Sequence, residues 1–285
     1  MNRSVSTILS YLKARHGQCG LAVDIGAHHG EFSKLLVQSN SFSQVLAFEP
    51  NFENCFVIRK SVSSSSSCEF KLINSALSSY SGLSELYCDS DTSTASLLEY
   101  DSGYQNRGDV KKNFVSTLTL DEYFDENPTN HSLEFVKIDT QGNDLSVLMG
   151  STRSISKFRP VIQTEFIYIP LYKSQCSPSE LSRVLNELGY IIYSLNNLHV
   201  NPEGRLCFCD AVFVPKEFDI SITQEFYCID NEISFHLQIN KLNEICRDRL
   251  AVINVLDAEI QRLRDVSDKT INIKSFFSKL KSWVQ

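Results

Sequence analysis

Several absences narrow the chain before any motif is read. No C-x-x-C occurs among its nine cysteines, and no second Cys or His pair at metal spacing accompanies Cys207 and Cys209, which argues against a zinc site. The thiols at 19, 55, 68, 88, 176, 207, 209, 228 and 246 read instead as free and mostly buried, as in a reducing cytosol. No apolar run approaches the ~18 residues of a transmembrane helix. The opening "MNRSVSTILSYLKARHG" lacks the continuous apolar run of a signal peptide; Val5, Ile8, Leu9 and Leu12 fit one face of a short helix. A cytoplasmic protein is the expectation. Basic charge is also scarce: 27 Lys and Arg against 34 Asp and Glu leave a net charge of −7, which argues against a general nucleic-acid partner.

What is present is ordinary globular material, long enough for one large α/β domain with an appendage. The runs at 21–25 (LAVDI) and 44–48 (QVLAF) read as buried parallel strands with a helix over 31–38 between them. A second helix is expected from Asn51 to Ile58, then a serine-rich surface loop and a strand at 69–74. From Ser75 to Asn113 the chain is polar and reads as a hairpin plus a long loop. Strands follow at 134–138 and 160–166. In "SPSELSRVLNELG", Ser177, Pro178 and Glu180 make a capping box and Gly189 a stop. Tyr190–Leu195 and Leu206–Val214 then close a seven-stranded, doubly wound sheet.

The stretch "LAVDIGAHHGEFS" is a strand-to-helix turn of the kind at which open α/β sheets bind ligands. Its glycines, Gly26 and Gly30, are four apart and do not form the G-x-G-x-x-G of dinucleotide binders, so NAD is disfavoured. The turn has no Lys for a polyphosphate. Asp24 ends the strand and favours positive charge, while Glu49, at the end of the neighbouring strand, can accept both hydroxyls of a ribose. An adenosine with a cationic, phosphate-free tail fits, and S-adenosylmethionine answers that description. The alternative is that Asp24 caps the helix and Glu49 is a loop acid.

"VDIGAHHGEFS", "AFEPN", "NSALSS", "STLTLDEYF", "FVKIDTQGNDLSVLMGS" and "VIQTEFIYIPLY", in that order, resemble the FkbM-type S-adenosylmethionine-dependent methyltransferases from about residue 20 to 215, including the closing "CDAVFVP". The resemblance implies a class I methyltransferase fold, Rossmann-like, and O-methylation, often of a sugar or polyketide hydroxyl. It implies that Asp24, Gly26 and Gly30 line the methionine side of the cofactor and that Glu49 holds the ribose, with Asn51 in the "EPN" place. It also places Asn74 and Ala76 near adenine, and Asp139, Gln141 and Gly142 beside the transferring methyl.

Methyl transfer to an alcohol is an in-line displacement that needs a positioned acceptor oxygen and a base for its proton. Asp139, Glu165, His28 and His29 all stand where such a base could, and Asp139 is favoured because its strand neighbours the cofactor strand. Asp139 could equally be the N-cap of a helix over 143–149, and a histidine at a helix start is often only a surface residue. Many family members carry Glu where this chain has Gln141, and that departure lowers the expectation of a bound cation. Lys137, on a central strand, is expected to pair with a buried acid. Phe166, Tyr168 and Tyr172 either stack on a sugar or cofactor or pack their loop onto the core. Three functions compete: a saccharide O-methyltransferase of surface-glycan synthesis, a methyltransferase for a polyketide or other small natural product, and a silent methyltransferase fold serving assembly. The intact Asp24, Gly26, Gly30 and Glu49 set argues against the last.

The expected organisation is a methyltransferase domain over 1–216, a linker at 217–231, a coiled coil at 232–266 and a basic amphipathic tail at 267–285. Ile239, Ile253 and Ile260 at a positions, with Leu242, Leu256 and Leu263 at d, favour a parallel dimer, although Ile245, Leu250 and Val252 keep a trimer or a folded-back helix open. "INIKSFFSKLKSWVQ" sets Phe276, Phe277 and Trp283 opposite or beside Lys274, Lys279 and Lys281. That pattern suits docking on the inner face of the cytoplasmic membrane or in a glycan-assembly partner's groove.

Overall fold

The computed structural model describes residues 9, 12, 19–89, 92–101 and 110–218, which fall within one unit, Met1–Asp219. The expected coil and tail, and nearly all of the linker, lie outside the described residues.

The strands in chain order are β1 (Cys19–Ile25), β2 (Phe42–Phe48), β3 (Glu69–Ile73), β4 (Ala76–Leu77), β5 (Gly82–Cys88), β6 (Lys111–Leu118), β7 (Leu133–Ile138), β8 (Val161–Ile167), β9 (Tyr190–Val200) and β10 (Leu206–Pro215). The helices are α1 (Glu31–Gln38), α2 (Phe52–Ser61), α3 (Leu120–Glu126), α4 (Asp144–Met149), α5 (Thr152–Phe158) and α6 (Pro178–Glu187). Seven strands form the main sheet in the order β3-β2-β1-β7-β8-β10-β9. β3, β2, β1, β7 and β8 run parallel, whereas β10 is antiparallel to both β8 and β9. The order reverses beside β1, so a crevice opens at the carboxyl ends of β1 and β7, where ligands bind in sheets of this kind.

Both faces of the parallel strands are covered, which is why their sequences are almost unbroken apolar runs. On one face Val23, Ile25, Val136 and Ile138 pack against Leu120, Leu148, Ile155 and Leu185 of α3 to α6. On the other, Ala22, Val45, Ala47 and Phe135 meet Leu36, Val37 and Ile58 of α1 and α2, with Leu9 and Leu12 also buried there. The capping box of α6 forms as read: the Ser177 hydroxyl accepts from the Glu180 N–H, and the Glu180 carboxylate accepts from the Ser177 N–H.

Two regions differ from the sequence reading. The stretch read as a hairpin plus long loop contains most of a second sheet, with order β4-β6-β5 and β4 parallel to β6. β4 has only two residues, and the outer face of β5 and β6 exposes Leu83 and Phe114, which breaks the usual alternation of buried apolar and exposed polar residues at those two positions. The helix expected over 143–149 starts at Asp144, with Asn143 rather than Asp139 in the N-cap position.

Candidate active site

The turn after β1 is shaped by glycine geometry. Gly26 has φ +78°, and a Cβ there would stand 1.9 Å from the Asp139 carbonyl oxygen, so only glycine lets this backbone close onto the end of β7. The Gly26 and Ala27 N–H groups both donate to the Phe48 carbonyl, at 3.0 and 3.1 Å, tying the turn to the end of β2. His28 follows in the left-handed region at φ 49°, its ring stacked on His29 at 3.8 Å. Gly30, at φ +82°, is the N-cap of α1, and its bare face lies against Ile58 and Val62 of the α2 region.

Between these ends lies a cleft open to solvent. Gly26, His28, Glu49, Ala76, Asp139 and Gln141 all line it. Sequence reasoning missed Phe48, Leu77 and Leu86 on its apolar side, and Ser93, Ala95, Ser96 and Leu97 on a strap that begins in the short helix at Thr92–Thr94. The strap had no legible signal, being polar and without period. It is fastened by the Ser96 hydroxyl, which donates to the Gln141 carbonyl at 2.7 Å.

Glu49 is 4% exposed and held on three sides. Its Oε2 accepts from the His28 N–H at 2.8 Å, and its Oε1 accepts from the Asn51 N–H at 2.9 Å and the Asn54 amide at 3.2 Å. A carboxylate has about four lone-pair directions. One on Oε2 stays open, so Glu49 as held can take one new hydroxyl, not the two expected from sequence. Burial pushes its carboxyl up to about 7 against the opposing hydrogen bonds of Asn51 and His28.

Asp24 departs from the sequence reading. Its carboxylate is fully buried behind the turn, not on the cavity wall; Oδ2 accepts from the Ser33 hydroxyl at 2.6 Å, and Oδ1 has only the Lys137 ammonium, 3.7 Å away. Burial raises its pKa, with Lys137 and Ser33 opposing. Gly30 holds the N-cap position of α1, but the Asp24 carboxylate also accepts from the Ser33 N–H in the first turn of that helix. Asn51 caps α2, accepting from the Glu53 N–H at 2.9 Å. Asn74 fastens the loop after β2 by donating to the carbonyls of Glu49 and Pro50 at 2.9 and 3.0 Å. Neither these two nor Gly30 lines the cavity; they hold its frame.

Asp139 does line it. Its Oδ2 accepts from Lys137 at 3.0 Å and its Oδ1 from the Gln141 amide at 2.9 Å. Burial alone would raise its carboxyl, but Lys137, Gln141 and His28 together hold it below the ordinary value. Burial would likewise depress the Lys137 ammonium, and Asp139 with Asp24 reverses that too. The expected pairing of Lys137 is thus with two acids. Gln141, at φ 53°, also donates to Glu165 Oε2 at 3.2 Å and accepts the Tyr172 hydroxyl at 2.9 Å. Glu165 lies behind Gln141, and its carboxyl is pushed up to about 9 by burial and by Asp139, Asp144 and Asp210. Two neighbouring carboxyls therefore differ at neutral pH: Asp139 is ionised and Glu165 protonated. Of the aromatic trio, Phe166 and Tyr172 are buried in packing, and Tyr168 alone is exposed.

The sequence model of the family described as "Methyltransferase FkbM domain" matches residues 24–192, more than half of the chain. The chain belongs to the FkbM methyltransferase family. Its described residues form an α/β fold around a mostly parallel seven-stranded sheet. Among solved structures it is similar to a methyltransferase FkbM from Methylobacillus flagellatus KT, at 17% identity and TM-score 0.42, covering 72% of this chain and 47% of that one. The chain thus spans about half the length of that protein. It is also similar to magnesium protoporphyrin IX methyltransferase (ChlM) from Synechocystis PCC 6803, solved with bound SAM, at 11% identity and TM-score 0.37, covering 74% and 78%. A third likeness is to TrmK of M. capricolum in complex with S-adenosyl-homocysteine, at 14% identity and TM-score 0.40, covering 73% and 67%. No curated protein matches the chain.

Proposed function

We propose that this FkbM-family protein transfers a methyl group from S-adenosylmethionine to a hydroxyl of a saccharide, in surface-glycan synthesis. The observation that carries the reading is the pairing of a glycine-shaped turn, Gly26 closed onto Asp139, with a buried carboxylate, Glu49, at the end of the next strand.

The residues fit the donor. The apolar side of the cavity (Phe48, Leu77, Leu86) suits an adenine ring, and the open lone pair of Glu49 suits a ribose hydroxyl. The Asp139 carboxylate gives the other end negative potential for a cationic centre. When bound, S-adenosylmethionine supplies an electrophilic methyl on a sulfonium. Asp139 accepts the proton of the acceptor hydroxyl, and its low pKa ensures that it is ionised before the acceptor arrives. Lys137 keeps that carboxylate charged, and Gln141 fixes its direction. His28, on the same wall, is the competing base. Glu165, protonated at neutral pH, is set aside as a base.

Calorimetry with S-adenosylhomocysteine tests the donor half: no heat, or unchanged affinity in Glu49→Ala, removes it. Transfer of labelled methyl to a panel of nucleotide sugars and lipid-linked glycans tests the acceptor half. Transfer to polyketides alone replaces saccharide with that class.

A further inference from the structure

Asp139 has neighbours that the transfer step does not use. Gln163 and Glu165 are two apart on β8, so they share a face of the sheet, and Gln163 pairs in register with Lys137. Asp210 on β10 stands opposite Glu165. The Asp210 carboxylate accepts from the Asn197 amide at 2.6 Å and also from Gln163. A polar ribbon thus runs from the cavity across β7, β8 and β10 towards β9.

Gln163 supplies an independent mark of a ligand. The residue is 4% exposed, and its amide is committed to Asp210, yet its Oε1 has no hydrogen-bond partner. A buried carbonyl oxygen facing such a ribbon calls for a donor. Burial and the surrounding acids keep Glu165 protonated at neutral pH, so it offers an O–H, while Asn197 is exposed and offers an amide. Lys137, the ammonium on this face, is already engaged by Asp24 and Asp139. Hydroxyls can both donate to and accept from such a set. An entering carboxylate or phosphate would face Asp139 and Asp210 with no free counter-charge among the described residues.

We propose that Gln163, Glu165, Asp210 and Asn197 form an acceptor subsite beside Asp139 that takes an uncharged, hydroxyl-bearing ring and rejects an anionic one. This rests on the methyl-transfer reading above and deepens it from saccharide to neutral saccharide unit.

The test uses the full chain saturated with S-adenosylhomocysteine. Saturation-transfer NMR is run with methyl glycosides of glucose, galactose and mannose, and with the matching uronides. At least one neutral glycoside binds, and its uronide binds at least about tenfold more weakly, because like charges repel in a partly buried site. Asp210→Lys reverses the bias; Asp210→Asn, which keeps the shape, narrows it even if the lysine variant fails to fold. Equal binding of both series, or a bias that neither variant moves, overturns the subsite. So does binding of neither series while S-adenosylhomocysteine still binds, and that outcome leaves the donor reading intact. Failure of S-adenosylhomocysteine itself to bind overturns both.

Discussion

Glu49 makes the donor site measurable through pH. Its carboxyl sits at about 7 in the ligand-free protein, raised from 4.5 chiefly by burial. A ribose hydroxyl donates to the ionised form, so binding pulls the pKa back down and releases a proton. Affinity for S-adenosylhomocysteine is therefore full above pH 7 and falls by about tenfold per unit below it, until the pKa of the bound state is reached. Folding stability responds with the opposite slope. The folded pKa exceeds the unfolded one, so the contribution from Glu49 is fully present below 4.5 and is lost as pH rises to about 7. At about 1.36 kcal/mol per unit, that loss is roughly 3 kcal/mol. One charge-assisted hydrogen bond contributes about 1.5–3 kcal/mol, so Glu49→Gln weakens binding by roughly 10- to 150-fold. The variant also faces an amide NH2 against the N–H of either His28 or Asn51, both now bonded to the carboxylate. Calorimetry in buffers of different ionisation heat counts the released protons, with Glu49→Gln subtracting any contribution from the ligand. Affinity that is flat from pH 5.5 to 8 in the wild type, with no proton release that the variant abolishes, would refute the assignment.

Asp139→Asn leaves S-adenosylhomocysteine affinity nearly unchanged and lowers turnover by roughly 10²–10⁴; single-turnover methyl transfer checks it, and the same phenotype in His28→Ala alone moves the base to the histidine. Lys137→Met strips the counter-charge from both Asp24 and Asp139 and destabilises the fold by about 3–5 kcal/mol, read from urea unfolding. Chelator leaves activity unaltered; loss on chelation with recovery on adding a divalent cation would show that Gln141 had been misread. Sedimentation of the full chain against one ending at Lys216 gives a dimer and a monomer, and Phe276→Ser with Trp283→Ser lowers flotation with anionic vesicles. A monomer in both chains, or unchanged flotation, rejects the coil or the membrane tail respectively.

The main sheet was legible because its central strands bury both faces, and a run such as LAVDI can hardly be anything else once glycine follows it. The small sheet was not. β4 is too short for any period, and Leu83 and Phe114 lie exposed where alternation would place polar groups. α4 and α5 together fill 144–158 with a break at Gly150, so α5 left no stripe long enough to read. At the site, spacing located Gly26, Glu49 and Asp139 because each ends a strand. It could not tell the wall from the frame. Asp24 and Glu49 look equivalent in sequence, yet one carboxylate is sealed behind the turn by Ser33 while the other lines the cavity. Which acid faces the cavity depends on strand register and on the partners each finds, neither of which is local.

The same limit explains why the preference for Asp139 among four candidate bases rested on strand position alone. Asp139 follows the end of β7 and Glu165 lies in β8, two residues before its end, and one amide joins them. Their difference comes from Lys137, which lies two residues before Asp139 on β7 and pairs with it directly at 3.0 Å. Asp139 gains that charge and is ionised; Glu165 faces three acids and keeps its proton. A weakly basic carboxylate suffices for methyl transfer, because the attacking hydroxyl becomes acidic as its oxygen bonds to the methyl carbon. What the step demands of the base is that it be charged, aimed and present beforehand, which Lys137 and Gln141 secure. Glu165, protonated and bonded to the far side of the Gln141 amide, is suited instead to donating a hydrogen bond to the acceptor. On the proposed roles, one lysine divides two chemically similar acids between base and acceptor binding.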